Sequence, residues 1–103
     1  MKMNEDFIIS EMGSQYIMVA SGTACDHFNG IIYLNGISLY LIKLIKNLKA
    51  EEKLDAILDK EELKEKLVAL MQSHYDVDYE RVSHDVAAFL EKLIRIGFLE
   101  DED

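Results

Sequence analysis

The hydrophobic pattern changes period once, at Asn35-Gly36, and that change limits the fold more than any other feature of the sequence. Before it, apolar residues come in short runs rich in β-branched and aromatic side chains. These are Phe7-Ile8-Ile9, Tyr16-Ile17-Met18-Val19-Ala20 and Ile31-Ile32-Tyr33-Leu34, and each predicts a strand. Gly13-Ser14 separates the first two runs. Glycine in the first of two turn positions suits a type II′ hairpin. The apolar residues of the hairpin do not alternate cleanly, so cover on both of its faces is expected. Residues 21–30 are polar and glycine-bearing, and read as a loop closed by Asn29-Gly30.

After the change the spacing is helical. Asn35 is a good N-cap, and Ile37, Leu41, Leu44, Ile45 and Leu48 predict a first helix over 36–48. A lysine- and glutamate-rich stretch follows, with Leu54, Ile57 and Leu58 on one face of an expected short helix. Asp59 with Glu62 forms an acidic variant of the capping box, and Leu63, Leu67, Leu70 and Met71 mark the buried stripe beyond it. Residues 74–78 break the pattern. Asp78 then caps a final helix with the stripe Val82, Val86, Phe89, Leu90, Leu93 and Ile96. Gly97 ends it as a C′ residue, Phe98 and Leu99 fold back, and 100–103 form an acidic tail. Strands segregated from three to four helices make this α+β, a single domain over 1–103.

Charge narrows the partners. The 103 residues carry 20 acids and 11 bases, a net charge of −9. Residues 1–49 hold four of each and 79–99 hold three of each, so the excess lies in 50–78 and the tail. A nucleic-acid binder needs a basic face to release counterions, and anionic membranes repel acidic proteins. Neither is an expected partner. The acidic middle reads first as a solvated helix face that maintains solubility. The lone Cys25 cannot form an intrachain disulfide, the first residues do not form a secretory signal, and Ile31 to Ile45 is too polar and short to span a bilayer. A cytoplasmic location is expected.

Catalytic chemistry is not indicated. Ser83-His84-Asp85 has the residue types of a triad, but successive helical positions point about 100° apart and cannot form its hydrogen-bond chain. Cys25, His27, His74 and His84 lack the paired spacings of a structural zinc site. The five glycines fall in turns and caps, with no phosphate-binding loop among them. The sequence therefore predicts no enzyme, no metal and no cofactor.

An ordered set of residues is more informative. Phe7-Ile8, the Gly13 turn and Phe28-Asn29-Gly30 precede Ile31-Ile32-Tyr33-Leu34-Asn35-Gly36. Tyr75-Asp76-Val77-Asp78, Asp85-Val86, Phe89-Leu90, Leu93 and Gly97-Phe98-Leu99 follow. From about residue 6 to 99 this resembles the PqqD family, small proteins associated with pyrroloquinoline quinone biosynthesis. Related domains recognise ribosomally made, post-translationally modified peptides. Two features depart from the family. About ten residues near 47–58 read as a helical insertion, and Tyr40 or Leu41 occupies the region of a first-helix tryptophan.

The resemblance implies a winged-helix-like fold, a three-stranded antiparallel sheet with a helical bundle. It also implies a non-catalytic, chaperone-like role: binding the leader segment of a precursor peptide and presenting it to a modifying enzyme, often a radical S-adenosylmethionine enzyme. The leader would add as a strand beside Ile31, Ile32, Tyr33 and Leu34. It would pack along Val82, Val86, Phe89, Leu90 and Leu93, with Arg81, Lys92 and Arg95 selecting an acidic leader. Each of these apolar helix residues is also a candidate for the core. Two alternatives stand beside this reading: an accessory subunit or scaffold without peptide binding, and a winged-helix DNA binder. An open strand edge also allows a homodimer.

Overall fold

A computed structural model describes residues 1–26 and 30–100. The expected hairpin is present: β2 (Phe7–Met12) pairs antiparallel with β3 (Gln15–Ala20) across Gly13-Ser14. Gly13 has φ +64°, as the first position of the predicted turn demands, and Ser14 does not share it. β4 (Ile31–Leu34) pairs antiparallel with the other side of β3, giving the order β2-β3-β4. Between β3 and β4, Gly22–Asp26 forms a 3-10 turn within the expected loop; the closing Asn29 lies outside the described residues, as do His27 and Phe28.

Three helices follow, α1 (Gly36–Ala50), α2 (Lys60–His74) and α3 (Tyr79–Arg95), so the class is α+β as expected. All three predicted caps form. The Asn35, Asp59 and Asp78 carboxyl or amide oxygens accept from the backbone N–H groups of Ser38, Glu62 and Arg81 at 2.8, 2.9 and 3.2 Å. The Glu62 carboxylate reaches back to the N–H of Leu58, one residue before the cap. At the end of α3, Gly97 takes φ +90°, with Gly97 N–H bonded to Ile94 O and Phe98 N–H to Leu93 O. This is the Schellman arrangement predicted from Gly97.

Three expectations are corrected. The short helix over 54–58 is absent, and the stretch near 47–58 is helical only through Ala50. The chain reverses there through a second Schellman turn, with Glu52 at φ +61° and the N–H groups of Glu52 and Lys53 bonded to Lys49 O and Leu48 O. Leu54 and Ile57 then sink into the core, while Leu58 is 75% exposed and belongs to no buried stripe. Second, Lys2–Met3 (β1) and Leu99–Glu100 (β5) form a small antiparallel sheet that the sequence pattern did not suggest. Third, among the described residues the continuous core lies on one face of the hairpin, while on the other Ile17 is buried outside it.

On the covered face Phe7, Met18, Ile32 and Leu34 join Leu41, Ile42, Ile45 and Leu48 of α1 in one core. Leu63, Leu67, Val68 and Met71 of α2 and Val82, Val86, Leu90 and Leu93 of α3 complete it. Phe98, brought back by the Schellman turn, meets Phe7 edge to face at 5.5 Å. Among the described residues no helix is long and apolar enough to cross a membrane.

Candidate functional site

β4 ends its sheet, and among the described residues no strand pairs with its outer edge. Backbone groups alternate in direction along a strand, so two of its four residues present N–H and C=O away from β3. Ile32 and Leu34 point into the core at 4% and 6% exposure, whereas Ile31 and Tyr33 project from the uncovered face.

Directly after β4 a groove opens between the start of α1 and the length of α3. One part, about 440 Å³, is walled by Asn35, Ile37, Ser38 and Leu41 on one side and His84, Asp85, Ala88, Phe89 and Lys92 on the other. A second part, about 300 Å³, continues past Ile37 and Asp85 toward the α2–α3 connection, over Met71, Val77, Val82 and Val86. Ile37 stands at the junction, 54% exposed. An exposed isoleucine in the first turn after the Asn35 cap is a sequence signal that the helical stripe obscured. The lining mixes apolar side chains (Ile37, Met71, Val77, Val82, Phe89) with polar and charged ones (Asn35, Asp76, Asp78, Asp85, Lys92).

The α3 residues predicted for this site divide into three groups. Phe89, Lys92, Val82, Val86 and Arg81 line the groove. Leu90 and Leu93 have no exposed surface and support the groove from within the core. Arg95 faces a different cavity, beside Asn4 and Glu100. The three bases are thus not brought together. Arg81 shares its part of the groove with Asp76, Asp78 and Asp85, and Lys92 shares its part with His84 and Asp85. A site selecting acidic side chains through all three bases is not assembled.

Around the groove the helices are tied to one another. Tyr79, in the first turn of α3, donates its hydroxyl to the Glu65 carboxylate of α2 at 3.0 Å, and that acceptor raises the phenol above its ordinary pKa. Lys60 of α2 pairs with Glu91 of α3 at 3.1 Å. Tyr40 of α1 stacks on His74 at 5.5 Å and meets Tyr75 edge to face at 5.4 Å, so an aromatic cluster joins α1 to the end of α2.

Elsewhere the chemistry is sparse. The exposed Cys25 thiol lies 3.3 Å from the Ala20 carbonyl and donates to it. Among the described residues no three His, Cys, Asp or Glu side chains converge on a metal position. A further cavity, about 630 Å³, lies between the N-terminal segment and the end of α1, where Lys49 pairs with Glu5 at 3.7 Å. None of the predicted site residues lines it.

Residues 54–99 match the family model described as Coenzyme PQQ synthesis protein D (PqqD). The match runs through α2, the α2–α3 connection, α3 and its closing turn, and so contains one wall of the groove. It bears out the resemblance over α2 and α3; β2, β3, β4 and α1 precede it. No curated protein and no solved structure matches the chain.

Proposed function

We propose that this protein is a non-catalytic recognition element that binds the leader segment of a ribosomally made precursor peptide and presents it to a modifying enzyme. The observation that carries the reading is a β4 edge unpaired among the described residues, followed at Asn35 by the α1–α3 groove, one wall of which lies in the stretch matching PqqD. The leader adds as a fourth strand at β4, and its inward side chains enter the groove beside Ile37, Leu41 and Phe89. The enzyme served is a peptide-modifying one, of the radical S-adenosylmethionine type in the family this stretch resembles. The work is cytoplasmic, in keeping with a chain whose lone cysteine forms no intrachain disulfide.

Magnitudes assign the roles. Two outward-facing residues offer about four backbone hydrogen bonds, each contributing a net ~0.5–1.5 kcal/mol. Ordering a disordered peptide costs ~2–5 kcal/mol. Micromolar binding needs about −8 kcal/mol, so the backbone ladder sets register and the groove supplies most of the affinity.

An amide-resolved NMR titration with synthetic leaders, taken from short peptides encoded beside the gene, tests this. Shifts concentrated at residues 31–34 and along 81–92 are expected. A folded protein whose amides respond to none of these leaders would overturn peptide recognition and leave the enzyme-subunit reading in its place.

A further inference from the structure

On the uncovered face of the sheet, two cross-strand rows run toward β4 and stop there. Residues directly opposite in an antiparallel ladder share a face. The registers therefore place Ile8, Val19 and Ile31 in one row and Ser10, Ile17 and Tyr33 in the next. None of the six is charged, in a chain of which 30% is charged. In the second row Ile17 is only 5% exposed, yet it lies outside the continuous core that holds its neighbour Met18. The rows end exposed, at Ile8 (52%) on β2 and at Ile31 (53%) and Tyr33 (67%) on β4, and among the described residues no further strand continues them beyond β4.

We propose that the leader completes these rows, with two uncharged apolar side chains, two positions apart, lying beside Ile31 and Tyr33. This rests on strand addition at β4 and adds the chemical class of the peptide. Side chains alternate along a strand, so the residues between that pair point toward the groove while the pair itself lies on the outer face. A charged residue at either outward position would lie against apolar side chains and gain no partner.

A second copy of the chain fits this face less well. Three strands about 4.8 Å apart, two of six residues and one of four, cover at most roughly 14 by 20 Å, well below the ~800 Å² per partner of a stable interface. Each copy also carries a net charge of −9, so two copies repel. A single added strand needs only one further row width.

The test uses a short peptide of alternating isoleucine and threonine with lysine at both ends, titrated into the wild-type protein and into Ile31→Thr/Tyr33→Thr. Threonine keeps the strand propensity and removes the apolar surface. The expected result is a shift of the β4 amides, nuclear Overhauser contacts from peptide methyls to the Tyr33 ring, and about fivefold weaker binding to the double variant. Unchanged helical amide resonances verify that the variant is folded. If β4 amides shift but the contacts are absent and the variant binds equally well, this inference falls and strand addition stands. If β4 does not respond, both fall. If resonances of Ile8, Ile31 and Tyr33 move on dilution of the free protein, a second copy covers the face and the inference is overturned.

Discussion

On the inner face of the sheet, Met18 lies fully buried between Ile9 and Ile32, in the core that the sheet shares with three helices; on the outer face, the adjacent Ile17 lies between Ser10 and Tyr33, outside that core. Both residues are almost inaccessible to water. Only the first is held by the core. The contrast separates two uses of apolar surface in one small sheet: one face contributes to folding, and the other presents uncharged side chains beside an unpaired strand edge. A small domain cannot cover every apolar side chain, but an apolar face without a single charge is a feature of binding surfaces.

The sharpest way to break this comparison is truncation on each face. Met18→Ala should cost about 2–5 kcal/mol in urea denaturation, because helices on the far side prevent the cavity from collapsing. Ile17→Ala should cost about 1–2 kcal/mol, since its neighbours can close over the gap. Equal losses would make the outer rows a second core and remove the distinction.

Proline in β4 gives the next largest effect. The N–H groups of Ile32 and Tyr33 point in opposite directions, so proline at one breaks the ladder with β3 and proline at the other removes an outward donor. The second variant should retain its helical circular dichroism and lose the peptide-induced amide shifts. Undiminished shifts in that folded variant would exclude the β4 edge as the binding site.

Removal of exposed apolar surface should hardly affect stability. Tyr33→Thr and Ile8→Thr are each expected within about 0.5 kcal/mol of wild type by urea denaturation. A larger loss at Tyr33 would mean that its ring shields Ile17 as a structural element.

The smallest effect lies in the helical layer behind the inner face. The Glu65 carboxylate raises the pKa of Tyr79, so the protonated phenol is favoured in the folded state. That contribution is fully present below the unfolded tyrosine value of about 10 and is lost as pH rises through the higher folded value. Melting temperature measured across the alkaline range should therefore fall slightly less steeply for Tyr79→Phe. Identical slopes would mean that this exposed bond contributes nothing to stability.

Much of the fold is legible because its signals are local. Asn35, Asp59 and Asp78 cap helices through bonds to a residue three positions on, and Gly13 and Gly97 occupy the left-handed conformations that glycine favours. The same signals explain what was missed. α1 ends through a Schellman turn with Glu52, not glycine, in the left-handed position, so the charged stretch beyond it read as more helix. The β1–β5 pair joins the two ends of the described chain through strands of two residues each, too short for any periodicity to register. At the site, Arg81, Val82, Val86, Phe89 and Lys92 of the α3 wall were named as site residues through the resemblance, whereas His84, Asp85 and Ala88 beside them were not. The opposing wall of Asn35, Ile37, Ser38 and Leu41 was not, because it exists only where α1 faces α3.

Element type, element order and the helix caps thus follow from interactions spanning a few residues, and the amino acids alone are enough to specify them. Which apolar residues serve the core and which remain available is another matter. Phe89 and Leu90 lie on the same helix in the same stripe, yet Leu90 is fully buried and Phe89 is partly buried and lines the groove. Arg81, Lys92 and Arg95 share that helix, yet face different surroundings. Periodicity places a residue on a face of its own element. What that face meets is set by contacts between segments far apart in the chain, and these arise only when the sheet and helices pack.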